Sequence, residues 1–429
     1  MFETLKNAWK IETLRKKILY TLFILIVFRI GVGWFMPYLD PAALREMSTS
    51  VFDVVNSISG SALGQATVFS LGIQPYINSS IIVQLLAVAI PALERLSKEG
   101  EEGRKKMNTI TKWVTLGLAV FQSIALYVFM NSTGLTVERT GFNGVIIMIA
   151  LIMIMVAGSS LCVWLGNQIS ENGIGNGVSM LIFAGVISRF PDILKDLITS
   201  FIAGLYGETK NLFLSPIMLL IYVAMIFAIV YVTNAERRIP VQYAKRVVGR
   251  KMMGGQASYI PIKVIMGGVM PVIFASTFLS IPELILGFST NINKQGNWYK
   301  FLMWFDTNTV QYGILYFILV FAFTFFYSSI QFNAMEMANN IKSNSGTIPG
   351  IRPGRPTAEF INKIVSRINF IGGLFLAIVA AFPVFFGLIT GMNFALAGTS
   401  IIIVVGVCLE TVKQIESEMM MRHYKGFLQ

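Results

Sequence analysis

Cysteine, histidine and charge are scarce in this chain. Two cysteines and one histidine occur among 429 residues. Cys162 and Cys408 both fall within apolar stretches, far from any pairing pattern, so neither a disulfide framework nor a zinc site has support. His423 stands alone in the C-terminal tail, and no carboxylate, cysteine or serine joins it in a catalytic constellation. The glycine-rich GIGNG at 173–177 has the wrong spacing for a phosphate loop and joins two apolar segments instead of following a strand. The sequence therefore reads as a non-enzyme without cofactor or metal. Charged residues make up only 13% of the chain, against about 25% in an ordinary soluble domain.

What fills the gap is apolar: 55% of the residues are hydrophobic. A membrane-crossing helix needs about 20 apolar residues to cover a hydrocarbon core of about 30 Å. About ten stretches qualify, at 18–38, 71–93, 113–130, 144–165, 174–188, 212–233, 264–287, 310–332, 368–388 and 391–410. Their runs are continuous, without the two-residue alternation of membrane strands, so the spans are helices. The basic stretch from Lys6 to Lys17 precedes an apolar run too long for a signal peptide, and that run is expected to stay as a span.

The net charge of +12 is distributed unevenly. With both termini on one side, the segments on that side hold 26 Lys and Arg and those opposite hold seven, with Arg29 inside the first span near its outer end. Cations accumulate on the cytoplasmic side of membrane proteins, which puts both termini inside. Two of the inside loops, 234–263 and 333–367, are long and basic. The second carries Pro349, Pro353 and Pro356 interleaved with Gly346, Gly350 and Gly354, which interrupts any continuous helix and predicts a shaped loop. Two basic loops on one face suit an acidic or RNA-bearing partner.

An internal echo organises the chain. GIQPYI at 72–77 and GVMPVI at 268–273 share the form Gly-x-x-Pro-x-Ile, one in the second span and one in the seventh. Those are corresponding members of two five-helix halves of opposite direction, an arrangement that places a pathway between halves. The expected division is 1–190 for the first half, 191–211 for an outside connection, 212–412 for the second half and 413–429 for a cytoplasmic tail.

Six stretches, in order along the whole chain, carry a resemblance: VFRIG (27–31), SGSALGQATVFSLGIQPYI (59–77), SKEGEEGRKK (97–106), ERRIPVQYAKR (236–246), PGIRPG (349–354) and GTSIIIVV (398–405). Together they resemble the SecY family, the central channel subunits of the bacterial protein-secretion translocon. The resemblance implies an all-α integral membrane protein with about ten spans in two inverted halves around an hourglass pore, closed by a short re-entrant plug. It implies a protein-conducting channel for unfolded secretory polypeptides, with lateral release of apolar segments into the bilayer of the bacterial plasma membrane.

By the same resemblance the plug corresponds to Ser57, Ile58, Ser59, Gly60, Ser61, Ala62, Leu63, Gly64, Gln65 and Ala66, whose small residues suit a piece that must leave its seat. The pore ring falls on Ile73, Ile77, Val178, Ile182, Ile273 and Ile403, an apolar constriction that can dewet and impede ions. Gln84 and Asn176 match polar positions of the lateral gate. Arg237, Arg238, Lys245, Arg246, Arg250, Lys251 and Arg352 are the expected docking residues for a motor or ribosome. Implied partners are the small membrane subunits SecE and SecG, the motor ATPase SecA, the ribosome, signal-bearing precursors and membrane lipid. The rival reading is a secondary transporter, which shares spans, inverted halves and broken helices. Carriers of that kind need ionisable groups at mid-membrane, and Arg29 is the only charge well inside a span. A membrane scaffold would leave the glycine-spaced 57–66 segment without a purpose.

Overall fold

The computed structural model describes residues 6, 8–39, 67–132, 142–205, 209–243, 246–248, 251–253, 257–288, 297–306, 309–390 and 395–425. Helices dominate, in the order α1 (Glu12–Val32), α2 (Gln74–Ala89), α3 (Pro91–Lys98), α4 (Glu101–Ser132), α5 (Phe142–Asn172), α6 (Gly177–Ile187), α7 (Phe190–Leu205) and α8 (Thr209–Asn234). Strands β1 (Glu236–Tyr243), β2 (Arg246–Val248), β3 (Lys251–Met253) and β4 (Ala257–Lys263) follow. The chain continues with α9 (Met270–Phe288), α10 (Asn297–Leu302), α11 (Val310–Gln331), α12 (Ala334–Ser343), β5 (Gly346–Thr347), α13 (Arg355–Thr390) and α14 (Ala395–Lys425).

Among the described residues, six helical segments are each long and apolar enough to cross a membrane: Glu101–Val128, Asn143–Asn172, Gly177–Ile202, Phe213–Asn234, Val310–Ser343 and Arg355–Thr390. The count rises to seven if the pair α2 and α3, which bend by 108° at their junction, is taken as one broken span. The bend sits at Ile90, whose extended backbone (ψ 114°) ends α2 immediately before Pro91. A residue before proline is pushed out of the helical region, so the chain turns where the sequence changes from an apolar span to PALERLSK. α1, α9 and α14 occupy the positions of the remaining expected spans; α9 carries a shorter apolar stretch, Met270–Pro282.

The fifth expected span was placed at 174–188, about 22 Å at helical rise. The structure carries it further, as Gly177–Ile202, because α7 follows α6 after a break of only two residues. Arg189, Pro191 and Asp192 give that junction the look of a loop in sequence.

The described chain forms two compact units. The first comprises Met1–Leu219, Thr277–Thr309 and Val407–Gln429; the second comprises Leu220–Ser276 and Val310–Gly406. One core of the first unit joins Met36, Leu39 and Leu71 to Leu126, Tyr127 and Met130 of α4 and to Ile147, Leu151 and Met155 of α5. Across α2 and α4 the buried hydroxyls of Ser79 and Thr115 lie 2.5 Å apart, a polar contact between otherwise apolar helices. A smaller core holds Ala8, Leu14, Ile174 and Ile415, beside which Lys17 Nζ donates to both carboxylate oxygens of Glu418 at 2.9 and 3.0 Å.

In the second unit, α11 and α13 pack side by side, and the Asn369 amide donates to the Ser328 hydroxyl in their buried seam. The two basic loops are structured. β1 pairs antiparallel with β4 over Glu236↔Lys263 to Gln242↔Ala257, and its far end pairs with β5 through Gln242↔Thr347 and Tyr243↔Gly346. The resulting three-stranded sheet joins both loops. Its inner face sends Ile239, Val241 and Ile262 onto Ile341 of α12, Ile348, and Ile361 and Val365 of α13. The glycine- and proline-rich stretch interrupts helix as expected between α12 and α13, and Pro356 then sits in the first turn of α13, where its missing N–H costs little.

Candidate functional site

The two echoed motifs adopt the same local structure. Gly72 and Gly268 both have positive φ, 50° and 57°, a conformation glycine reaches without steric cost. α2 begins at Gln74 and α9 at Met270, each two residues after its glycine and one before its proline. The N–H groups of Tyr76 and Ile77 donate to the Ile73 carbonyl at 2.9 and 3.1 Å, while those of Val272 and Ile273 donate to the Val269 carbonyl, both at 3.2 Å. Ile77 and Ile273 thus occupy equivalent positions in the first turn of their helices, 5% and 4% exposed.

Of the other expected ring residues, Ile73 and Ile182 are buried and Val178 half-buried in the first unit; Ile403 is buried in the second. The two expected gate residues make local contacts. Gln84 donates its side-chain amide to Ser80 Oγ one turn earlier, at 3.1 Å. Asn176 caps α6, its Oδ1 accepting from the N–H groups of Val178 and Ser179 at 3.1 and 3.4 Å. Sequence reasoning passed over Gln74, which is buried at the start of α2 with neither amide atom hydrogen-bonded, and Asn78, whose Oδ1 is likewise unpaired one turn on. A polar residue inside an apolar motif was the available signal.

The expected plug, Ser57 to Ala66, lies outside the described residues, as do Lys245 and Arg250. Arg246 and Lys251 lie on β2 and β3, which pair antiparallel. Arg237 and Arg238 are exposed on β1. The Arg238 guanidinium lies 4.7 Å from the centre of the Tyr259 ring and donates through Nε to Glu236 at 2.8 Å. That hydrogen bond, aided by the charges of Tyr259 and Glu236, raises the Arg238 pKa above its ordinary value. Arg352 is exposed between Gly350 (φ 80°) and Gly354 (φ 102°), and its carbonyl accepts from Thr357 Oγ1 at 2.8 Å, which ties the turn to the start of α13. Arg355 pairs instead with Glu359 one turn along the exposed face of α13.

The sequence model of the SecY family matches residues 67–412. The chain belongs to the SecY family. It is 42% identical to the protein translocase subunit SecY of Streptomyces coelicolor and 38% identical to that of Bacillus subtilis, in each case over 100% of both chains. A solved protein-conducting channel superposes with a TM-score of 0.68 over 94% of this chain and 92% of that one, at 19% identity. Sec61 in a canine ribosome–channel complex from the endoplasmic reticulum gives 0.64, at 17% identity, over the same shares. These structural matches establish the all-α SecY channel fold. The chain is thus a multi-pass membrane protein and a protein-conducting translocation channel. The carrier reading finds no support among its relatives.

Proposed function

We propose that Ile73, Ile77, Val178, Ile182, Ile273 and Ile403 line the constriction of the channel. The observation that carries this reading is the matched first turn of α2 and α9, which gives Ile77 and Ile273 equivalent places. Branched apolar side chains exclude hydrated ions while offering a moving polypeptide no fixed chemistry to bind. Residues 57–66 act as the plug, and Gln84 and Asn176 belong to a seam between residues 1–190 and 212–412 that opens toward lipid. Contacts between polar side chains of membrane helices contribute only about 0.6–2 kcal/mol, which suits a seam that must part.

The chain works in the bacterial plasma membrane with both termini cytoplasmic, an orientation supported by its 26 inside cations against seven outside. It performs no chemistry of its own. Energy comes from SecA or a translating ribosome docked on the basic loops through Arg237, Arg238, Lys245, Arg246, Arg250, Lys251 and Arg352, with SecE and SecG as membrane neighbours. Tyr259 and Glu236 hold Arg238 in one orientation, which favours a forked contact with carboxylate or phosphate.

A stalled secretory precursor crosslinked to photoreactive residues placed at 77, 273 and 403 tests the assignment. Adducts at all three, and none at the exposed Phe227 of α8, are expected. A precursor that crosslinks at 227 but at none of the three removes these residues from the pathway.

A further inference from the structure

Two glycines outside every motif considered so far make the same unusual contact, one in each unit. A Cβ built on Gly158 of α5 would lie 2.1 Å from the Val68 carbonyl oxygen, 3.0 Å from the Val68 carbonyl carbon and 3.2 Å from Val68 Cγ1. A Cβ on Gly372 of α13 would lie 2.3, 3.2 and 3.3 Å from the corresponding three atoms of Val264. Val68 precedes Gly72 by four residues, and Val264 precedes Gly268 by four. The touched carbonyl therefore stands at the same place ahead of each constriction-bearing helix. A main-chain contact of this kind reads backbone position directly, because no rotamer change can relieve it.

We infer that Gly158 and Gly372 are matched positioning residues, each fixing the depth at which the turn before its half-helix is held and so placing Ile77 and Ile273 in the closed constriction. The inference rests on the constriction assignment above. Both glycines lie inside long helices, where glycine is less favourable than alanine. Their presence is explained by what passes beside them. Alanine at either site must drive the valine carbonyl from 2.1 or 2.3 Å to beyond 3.0 Å, and the turn and first helical residues move with it.

The test uses the full translocon in vesicles, with three readouts: resting ion conductance, translocation of a precursor with a defective signal sequence, and thermal unfolding. Gly158→Ala and Gly372→Ala are each expected to raise resting conductance and acceptance of the defective precursor by between roughly 5- and 100-fold, the range that overpacking strain supports. Gly313→Ala, whose Cβ would meet only the Phe385 ring at 2.9 Å, is expected to lower thermal stability without a leak. Gly117→Ala meets nothing within 4 Å and should leave conductance and acceptance of the defective precursor unchanged, with thermal stability level or slightly raised, since alanine favours the helix. Adding Val68→Gly to Gly158→Ala, or Val264→Gly to Gly372→Ala, removes Cγ1 and loosens the main chain, and should return conductance toward the parent value. These paired variants carry the test if a single alanine variant does not accumulate. Variants that lose stability like Gly313→Ala but do not leak, while Ile77→Asn and Ile273→Asn do leak, overturn the inference and leave the constriction in place. If the asparagine variants are also tight, the constriction assignment fails and the inference falls with it.

Discussion

The ion pair between Lys17 and Glu418 joins side chains 401 residues apart and offers a sharp test of how the first unit holds its two chain ends. Its geometry is bidentate at 2.9 and 3.0 Å, with side-chain exposures of 36% for lysine and 16% for glutamate. Fully exposed pairs contribute about 0.2–1 kcal/mol, whereas stripping one partner from a fully buried pair costs about 3–5 kcal/mol. A half-buried pair over the Ala8, Leu14, Ile174 and Ile415 cluster falls between, so Glu418→Ala should cost about 1–2.5 kcal/mol. That free energy holds the final turns of α14 in place, and each 1.4 kcal/mol multiplies the opened population about tenfold. Hydrogen exchange of the amides from 411 to 419 should therefore accelerate between roughly 5- and 70-fold in Glu418→Ala and in Lys17→Ala. The exchanged pair, Lys17→Glu with Glu418→Lys, should recover at least half of the loss. If the two alanine effects add in the double variant, the residues are not coupled and the contact does not stabilise the packing.

Ile403→Asn removes a buried side chain worth about 1.5–3 kcal/mol and should raise resting conductance roughly 10- to 100-fold; unchanged conductance would remove Ile403 from the constriction. Charge reversal separates the two loop arginines. Arg352→Glu should strongly reduce motor-driven translocation, while Arg355→Glu, which turns the exposed pair with Glu359 into a weak like-charge contact, should be mild; equal defects would reduce the loop to bulk charge. Single cysteines at Glu102 and Lys263 should react only with reagents on the cytoplasmic side, and one at Lys300 only from outside, so outside labelling at 263 would invert the assigned topology.

The sequence disclosed the helices better than their ends. Continuous apolar runs mark a helix wherever they occur, but Arg189, Pro191 and Asp192 hid the continuation of the fifth span, since local polarity cannot reveal that a helix resumes two residues later. The sheet was missed for another reason. Charge and turn formers drew attention in ERRIPVQY, although Ile239 and Val241 alternate with exposed Arg238, Pro240 and Gln242 in the two-residue period of a half-buried strand. Its partner ASYIPIK lies beyond two further short strands, so pairing depends on contacts no local window contains. At the site, the Gly-x-x-Pro-x-Ile echo was visible as spelling, and Gln74 was readable as an oddity. The role of Gly158 and Gly372 was not, because a glycine chosen for what passes beside it looks in sequence like any other helical glycine.

The length of α13 has a mechanical consequence. Its 36 residues span about 54 Å, whereas the hydrocarbon core takes about 30 Å. The surplus begins at the Arg355 end, where Ile361 and Val365 carry the three-stranded sheet. The sheet is thus mounted on a rod whose other end is embedded in lipid, and both basic loops share that mounting through β1 and β5. A load on the sheet would therefore bear on the Ile361 and Val365 stretch of this helix instead of on slack chain. The described strands of both loops thus stand on one common support.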